Sequence, residues 1–329
     1  MPRPEVIEQL FDLVDETSMI ISSELKMNYL QAMCESCGNI MSQDVSQSVN
    51  EEIRQALEKQ YSDLEELEFT QEEIRKALQL AILKGLKAER VTNAVMTPDS
   101  IALMVSYLIS KFIPSAKEMT VADLTVGTGN FLTAILNQID VEPQAIYGVD
   151  VDKDLLQIAY TLSDMQEHAV QFYQQSSLKP MLVEPLDLIV GDLPTGEVVD
   201  SSELVDLELS LVSKQVTYLL YLLIENHLKY LKPGGYAFYV IPNDLFSQKG
   251  STEFHQMLTS QANIQALLQL PSSMFKSHEL GKSLFIIQKN GEAIQPIKEV
   301  LVAQLPSFND REKFGQTLNR IDNWIKLNK

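Results

Sequence analysis

The stretch Asp123-Leu124-Thr125-Val126-Gly127-Thr128-Gly129-Asn130 decides the fold. It begins inside a short apolar run, residues 121–125, with the length and composition of a buried strand. It ends where Asn130, Phe131 and Leu132 open a helical stretch. Gly127 and Gly129 let the backbone turn sharply and approach a ligand closely, because no Cβ stands in the way. A lone G-x-G is a weak signal, but between a strand and a helix it reads as the ligand-facing turn of an open α/β sheet. The dinucleotide fingerprint needs a third glycine at position 132. Leu132 stands there, which argues against an NAD-dependent dehydrogenase. Asp123 is also poorly suited to a bound pyrophosphate and better suited to a ligand carrying an ammonium group.

Outward from this turn the pattern repeats. Ile146-Tyr147-Gly148-Val149-Asp150 ends a second strand on a carboxylate, where it can accept hydrogen bonds from both hydroxyls of a ribose. Further strand candidates are residues 170–173, 186–190, 236–241, 264–270 and 284–288. Helical stretches such as 155–166 and 207–231 separate most of them. Strands alternating with helices predict crossover units and a mainly parallel sheet. Gly191-Asp192-Leu193-Pro194-Thr195-Gly196 follows the strand at 186–190, at the carboxyl end where open sheets bind ligands. Lys232-Pro233-Gly234-Gly235 reads as a turn ending one helix and launching a strand.

Residues 1–90 read differently. Val6, Ile7, Leu10, Phe11 and Val14 fall at helical spacing, as do Ile53, Leu57, Tyr61 and Leu64. Thr70 with Glu73 forms a capping box, and Gly85 is the expected end of the helix it opens. This segment holds 18 acidic and 9 basic residues and no catalytic constellation, so it reads as a helical cap or protein-docking module. The expected domains are 1–90 (helical), 91–290 (cofactor-binding) and 291–329 (a tail, helical after about residue 310).

Cys34 and Cys37 form a C-x-x-C pair, but no second pair or nearby histidine completes a zinc site. They read as two small apolar side chains, and no metal is expected. The net charge of −19 disfavours non-specific attraction to a phosphate backbone or an anionic membrane surface. No apolar run reaches the ~18 residues that span a bilayer, and the first residues lack a signal-peptide pattern. The expected location is the cytoplasm, with no membrane partner.

Residues 92–289 resemble the amino-group DNA methyltransferases of the N6-adenine kind, in particular type I restriction modification subunits and stand-alone bacterial proteins of the YtxK type. Met96-Thr97-Pro98 resembles the family's opening motif, DLTVGTGNFL at 123–132 its D-P-x-x-G-T-G-x-F-L, and Asp150 its ribose-binding acid. Asp192-Leu193-Pro194-Thr195 takes the place of the catalytic [DN]-P-P-[YF]. YLKPGGYAFYVIPNDLF (230–246), LLQLPSSMFKS (267–277) and LGKSLFIIQK (280–289) resemble later segments of the family. The resemblance implies a Rossmann-like, doubly wound, seven-stranded and mostly parallel sheet with one antiparallel strand, behind an N-terminal helical domain. It implies S-adenosyl-L-methionine as cofactor, held by Thr97, Asp123, Thr125, Gly127, Gly129, Asn130, Phe131, Asp150, Val151 and Ser176. Ser176 stands where the family usually has an Asp near the adenine.

The tetrad lacks one proline and its aromatic. In this family the Asp or Asn side chain and the next carbonyl take the hydrogens of the acceptor amine, which Asp192 and Leu193 can still do. The aromatic stacks on the flipped base, a contribution of ~1–3 kcal/mol, and Thr195 cannot stack. The expectation is a methyltransferase acting on an amino nitrogen, with weak nucleic-acid binding of its own and a protein partner docking through the acidic helices. The rival is a cofactor-binding scaffold without turnover.

Overall fold

The protein is described by a computed structural model covering residues 2–62, 64, 68–90, 96–114, 118–198, 207, 209 and 218–328. Residues 91–95 of the expected helix-to-sheet junction, and residues 208 and 210–217 of the expected helix at 207–231, lie outside this set. The chain divides into two compact units. One comprises Met1–Pro98, Gly127–Asn137 and Asp152–Phe172; the other comprises Asp99–Val126, Gln138–Val151 and Tyr173–Lys329.

The first unit is helical. It contains α1 (Pro4–Leu25), α2 (Tyr29–Ser42), α3 (Glu51–Ser62) and α4 (Gln71–Ala88), joined by α6 (Asn130–Leu136) and α7 (Lys153–Asp164). Its core gathers Leu10 and Val14 of α1, Met33 and Cys37 of α2, Leu78 and Ile82 of α4, and Ile158 and Leu162 of α7. A smaller cluster of Ile21, Ala32, Val45 and Leu57 seats α3. The N-terminal helices therefore share one core with residues from after the glycine turn. Cys34 and Cys37 are free and buried, and burial pushes the Cys34 thiol up to about 11, so it stays protonated and unreactive at neutral pH.

The capping box at the start of α4 is complete. The Glu73 amide donates to the Thr70 hydroxyl at 3.3 Å, and the Thr70 amide donates to Glu73 Oε2 at 3.0 Å. Gly85, however, does not end the helix, which runs on to Ala88. A Cβ at Gly85 would sit 2.4 Å from Leu30 Cδ2 and 2.9 Å from the Tyr29 ring. The glycine is there to let α2 lie close against α4. Gly85→Ala should therefore cost about 1–3 kcal/mol by overpacking, even though alanine favours helix. A thermal melt checks this, and an unchanged or raised midpoint would show that α2 yields freely.

The sheet is ordered β3-β2-β1-β4-β5-β7-β6-β8, and apart from residues 170–172 of β3 it belongs to the second unit. The strands are β1 (Glu118–Asp123), β2 (Glu142–Asp150), β3 (Val170–Gln174), β4 (Leu186–Asp192), β5 (Leu231–Pro242), β6 (Ala262–Gln269), β7 (Lys282–Lys289) and β8 (Leu301–Gln304). β2, β1, β4 and β5 run parallel, while β7 is antiparallel to both of its neighbours. All seven expected strands are present, but among the described residues the sheet has eight. The additional strand, β8, pairs parallel with β6 in the segment assigned to the tail. A four-residue strand, Leu-Val-Ala-Gln, is too short to leave a periodic signal.

The remaining α-helices among the described residues are α5 (Asp99–Phe112), α8 (Leu219–Tyr230), α9 (Ser251–Gln261) and α10 (Arg311–Asn328). α10 is tied to α5: the Tyr107 hydroxyl donates to Asp322 Oδ1 at 2.7 Å, Lys111 pairs with Asp322 at 3.1 Å, and Trp324 lies against Phe112. Lys232-Pro233-Gly234-Gly235 is not a free turn but an irregularity inside the start of β5. Leu186 pairs with Leu231 and Leu188 with Tyr236, so Lys232–Gly235 bulge out of the ladder, with Gly234 at φ +84°.

Candidate functional site

Three carboxylates cap three neighbouring parallel strands. Asp150 ends β2, Asp123 ends β1 and Asp192 ends β4. From β1 the chain builds outward through β2 to β3, whereas β4 and β5 lie on the other side. This reversal of strand order is where open α/β sheets bind ligands. Asp123 is 1% exposed. Burial first, and then the charges of Asp150 and Asp192, push its carboxyl up to about 8; the Thr125 amide, donating at 3.0 Å, pulls the other way. Gly191 leaves room beside it, since a Cβ there would lie 3.4 Å from both Asp123 Oδ1 and Thr125 Oγ1. The Thr125 hydroxyl is buried in the same place, and its oxygen has no hydrogen-bond partner among the described residues. A buried carboxylate beside two others, with an unmatched hydroxyl next to it, is an environment that a cationic, hydrogen-bonding ligand would relieve.

The backbone around Asp150 is fixed from two directions. The Gln175 amide donates to its carbonyl at 3.0 Å, and the Val126 amide donates to the Val149 carbonyl at 2.9 Å. Val151, next in the chain, is an exposed apolar side chain. Ser176 makes a local turn, its hydroxyl accepting from the Leu178 amide at 3.3 Å. The neighbouring Ser177 is the residue that ties this loop to β1, donating to the Leu124 carbonyl.

The glycine turn belongs to the helical unit. Gly127 and Gly129 have φ of +53° and +77°, the left-handed region that other residues avoid. A Cβ on Gly127 would project into open space, whereas on Gly129 it would lie 3.0 Å from Ala159 Cβ. The first glycine keeps a space clear and the second allows α7 to pack. Asn130 and Phe131 are buried, as is Thr97.

In Asp192-Leu193-Pro194-Thr195 the Leu193 amide donates to the Val240 carbonyl at 3.1 Å, which holds the loop against β5. Leu193 is buried, and Pro194 and Thr195 are exposed. Two contacts here left no mark in the sequence. Lys282, at the start of β7, donates to Asp192 Oδ1 at 2.6 Å across 90 residues of chain. Tyr218 pairs with Glu197 across an isolated bridge, and the Leu219 amide donates to the Gly196 carbonyl at 2.9 Å. This fixes a half-buried aromatic close in the fold to Thr195. Among the described residues no group of His, Cys, Asp or Glu is suited to hold a metal ion, and no helix is long and apolar enough to cross a membrane.

Residues 87–323 match the N-6 DNA methylase family and residues 8–86 match the YtxK N-terminal helical domain. The chain belongs to the N-6 DNA methylase family, and that match extends through β8 into α10. Within it, the chain is 34% identical over 323 residues to the protein YtxK of Bacillus subtilis (strain 168), covering 97% of this chain and 98% of that one. It is similarly 34% identical to a candidate class I S-adenosylmethionine-dependent methyltransferase from Listeria monocytogenes, whose crystal structure superposes with a TM-score of 0.88 over 98% of this chain and all of that one. The type I restriction-modification methyltransferase subunit of Streptococcus thermophilus shares the fold at 14% identity, with a TM-score of 0.64 over 98% of this chain and 75% of that one.

Proposed function

We propose that the chain binds S-adenosyl-L-methionine and transfers its methyl group to an amino or amide nitrogen. The observation that carries this is the row of Asp150, Asp123 and Asp192 on adjacent strand ends, with the glycine turn following Asp123 directly in the chain. When bound, the cofactor supplies an electrophilic methyl group on a sulfonium. Asp150 holds the ribose hydroxyls, with Val151 and Ser176 toward the adenine. Asp123 and Thr125 take up the cationic, hydrogen-bonding part of the ligand. Gly127, Gly129, Asn130, Phe131 and Thr97 border its methionine part. Asp192 and the Leu193 carbonyl accept the hydrogens of the acceptor nitrogen, freeing its lone pair from conjugation. Asp192 then takes the proton that nitrogen must lose. Pro194 stiffens the loop, and Thr195, with Tyr218 as the aromatic candidate, borders the acceptor. Binding of S-adenosylhomocysteine without binding of NAD, followed by transfer of a labelled methyl group to cell-lysate acceptors, tests the reading. A protein that binds NAD, or neither ligand, would overturn it.

A second reading is favoured by one contact. The Lys282 ammonium already occupies Asp192, the group an acceptor amine needs. A chain that binds the cofactor but has this acceptor blocked would serve as a scaffold, docking partners through residues 1–90. Cofactor binding without any transfer is the result that selects it.

Either way, the protein is expected to bind duplex DNA weakly at ~150 mM salt, with Kd above a micromolar. The chain carries 19 excess negative charges, and at that ionic strength screening confines attraction to a local basic surface within about 8 Å. Anisotropy titration measures this. Submicromolar binding lost steeply on adding salt would show a basic groove that composition conceals.

A further inference from the structure

Arg75 of α4 is 1% exposed. Two of its nitrogens grip Glu72, Nε to Oε2 at 2.8 Å and Nη2 to Oε1 at 2.7 Å. A third, Nη1, donates to Asn130 Oδ1 at 2.7 Å. Glu72 is itself held by the Asn137 amide at 3.2 Å, and Asn137 by Gln166 at 2.9 Å and His168 at 2.7 Å. The guanidinium is thus locked in place and its charge is balanced.

This arrangement settles which way the Asn130 amide faces. A guanidinium can only donate, so the oxygen must turn toward Arg75 and the NH2 away from it. Asn130 is 2% exposed, yet its Nδ2 has no partner among the described residues. A buried amide donor without an acceptor is costly, because it gives up its bond to water and gains none in return. Asn130 directly follows Gly129, whose left-handed backbone closes the turn. The donor is also strengthened, because a cation on the carbonyl oxygen withdraws electrons from the NH2. A short, polarised donor next to a glycine turn suits an anion. Of the cofactor's parts, only the methionine carboxylate is one.

We propose that Asn130 Nδ2 binds the carboxylate of the cofactor's methionine moiety and that Arg75 is the positioning residue that presents it. This rests on the chain binding S-adenosylmethionine. It gives the helical segment 8–86 a direct part in cofactor recognition, beyond docking.

The test compares two ligands on the full-length protein by isothermal titration: S-adenosylhomocysteine and its decarboxylated analogue, which keeps the amine and lacks the carboxylate. Asn130→Asp retains the size and the acceptor for Arg75 but replaces the donor with a negative charge. It should bind S-adenosylhomocysteine at least tenfold more weakly than wild type and the analogue within about twofold of wild type. Arg75→Lys, checked by thermal melt for folding, should show the same carboxylate-selective loss, several-fold in size. If either variant weakens both ligands equally, or leaves S-adenosylhomocysteine binding unchanged, the assignment is overturned for that residue. If wild type binds neither ligand, the cofactor reading itself fails and this inference with it.

Discussion

Asp150→Ala is expected to weaken S-adenosylhomocysteine binding by at least about a hundredfold. The carboxylate ends β2 with its backbone fixed on both sides, so it is presented to a ligand with little freedom to lose. Two hydrogen bonds from ribose hydroxyls to a charged acceptor contribute ~1.5–3 kcal/mol each, and alanine replaces neither. Water filling the gap recovers part of the loss, which is why the lower end of the sum is the expectation. Isothermal titration measures it directly. Because Asp150 is neither a core residue nor part of a helix cap, the melting temperature without ligand should change little. An unchanged affinity would remove Asp150 from the site and with it the argument from strand ends.

The second large effect is on pH. Asp123 is an ordinary carboxylate in the unfolded chain, near 3.9, and is pushed up to about 8 in the fold. Between those values the folded protein holds a proton that the unfolded chain releases. The unliganded protein therefore loses stability as pH rises from about 4 to about 8, with no further loss above that. An ammonium-bearing ligand reverses the preference, because it favours the carboxylate. Binding should then expel a proton, and affinity should rise about tenfold per pH unit up to about 8 before levelling. Titrations at pH 7 in buffers of different ionisation enthalpy report the proton directly. Asp123→Asn should abolish its release, whereas release that persists in that variant, or none in wild type, would show that the ligand's cation lies elsewhere.

What could be read in the sequence was what is local. The glycine turn, the seven main strands and the Thr70–Glu73 capping box each lie within a dozen residues, and their residue types carry the conformation they need. Gly85 reads from sequence as a helix end because a glycine near a helix end suits two causes equally, yet α4 runs on to Ala88. Only Leu30, from another helix, shows that it serves close packing. The Lys282–Asp192 and Arg75–Asn130 contacts join residues 90 and 55 positions apart, and nothing in either neighbourhood names the other. The height of the Asp123 carboxyl was equally hidden, since it depends on burial and on charges at two other strand ends.

The eighth strand covers part of what would otherwise be an open sheet edge. Without β8, the outer strand on that side would be β6, eight residues long and rich in Ala, Ile and Leu. An open ladder of that length is a template on which another chain can add a strand. β8 takes up that ladder for four residues and leaves a row too short to recruit a further strand well. The same segment leads into α10, fastened at Asp322. The segment after β7 thus does two jobs at once: it shortens the open edge of the sheet and packs a helix against α5.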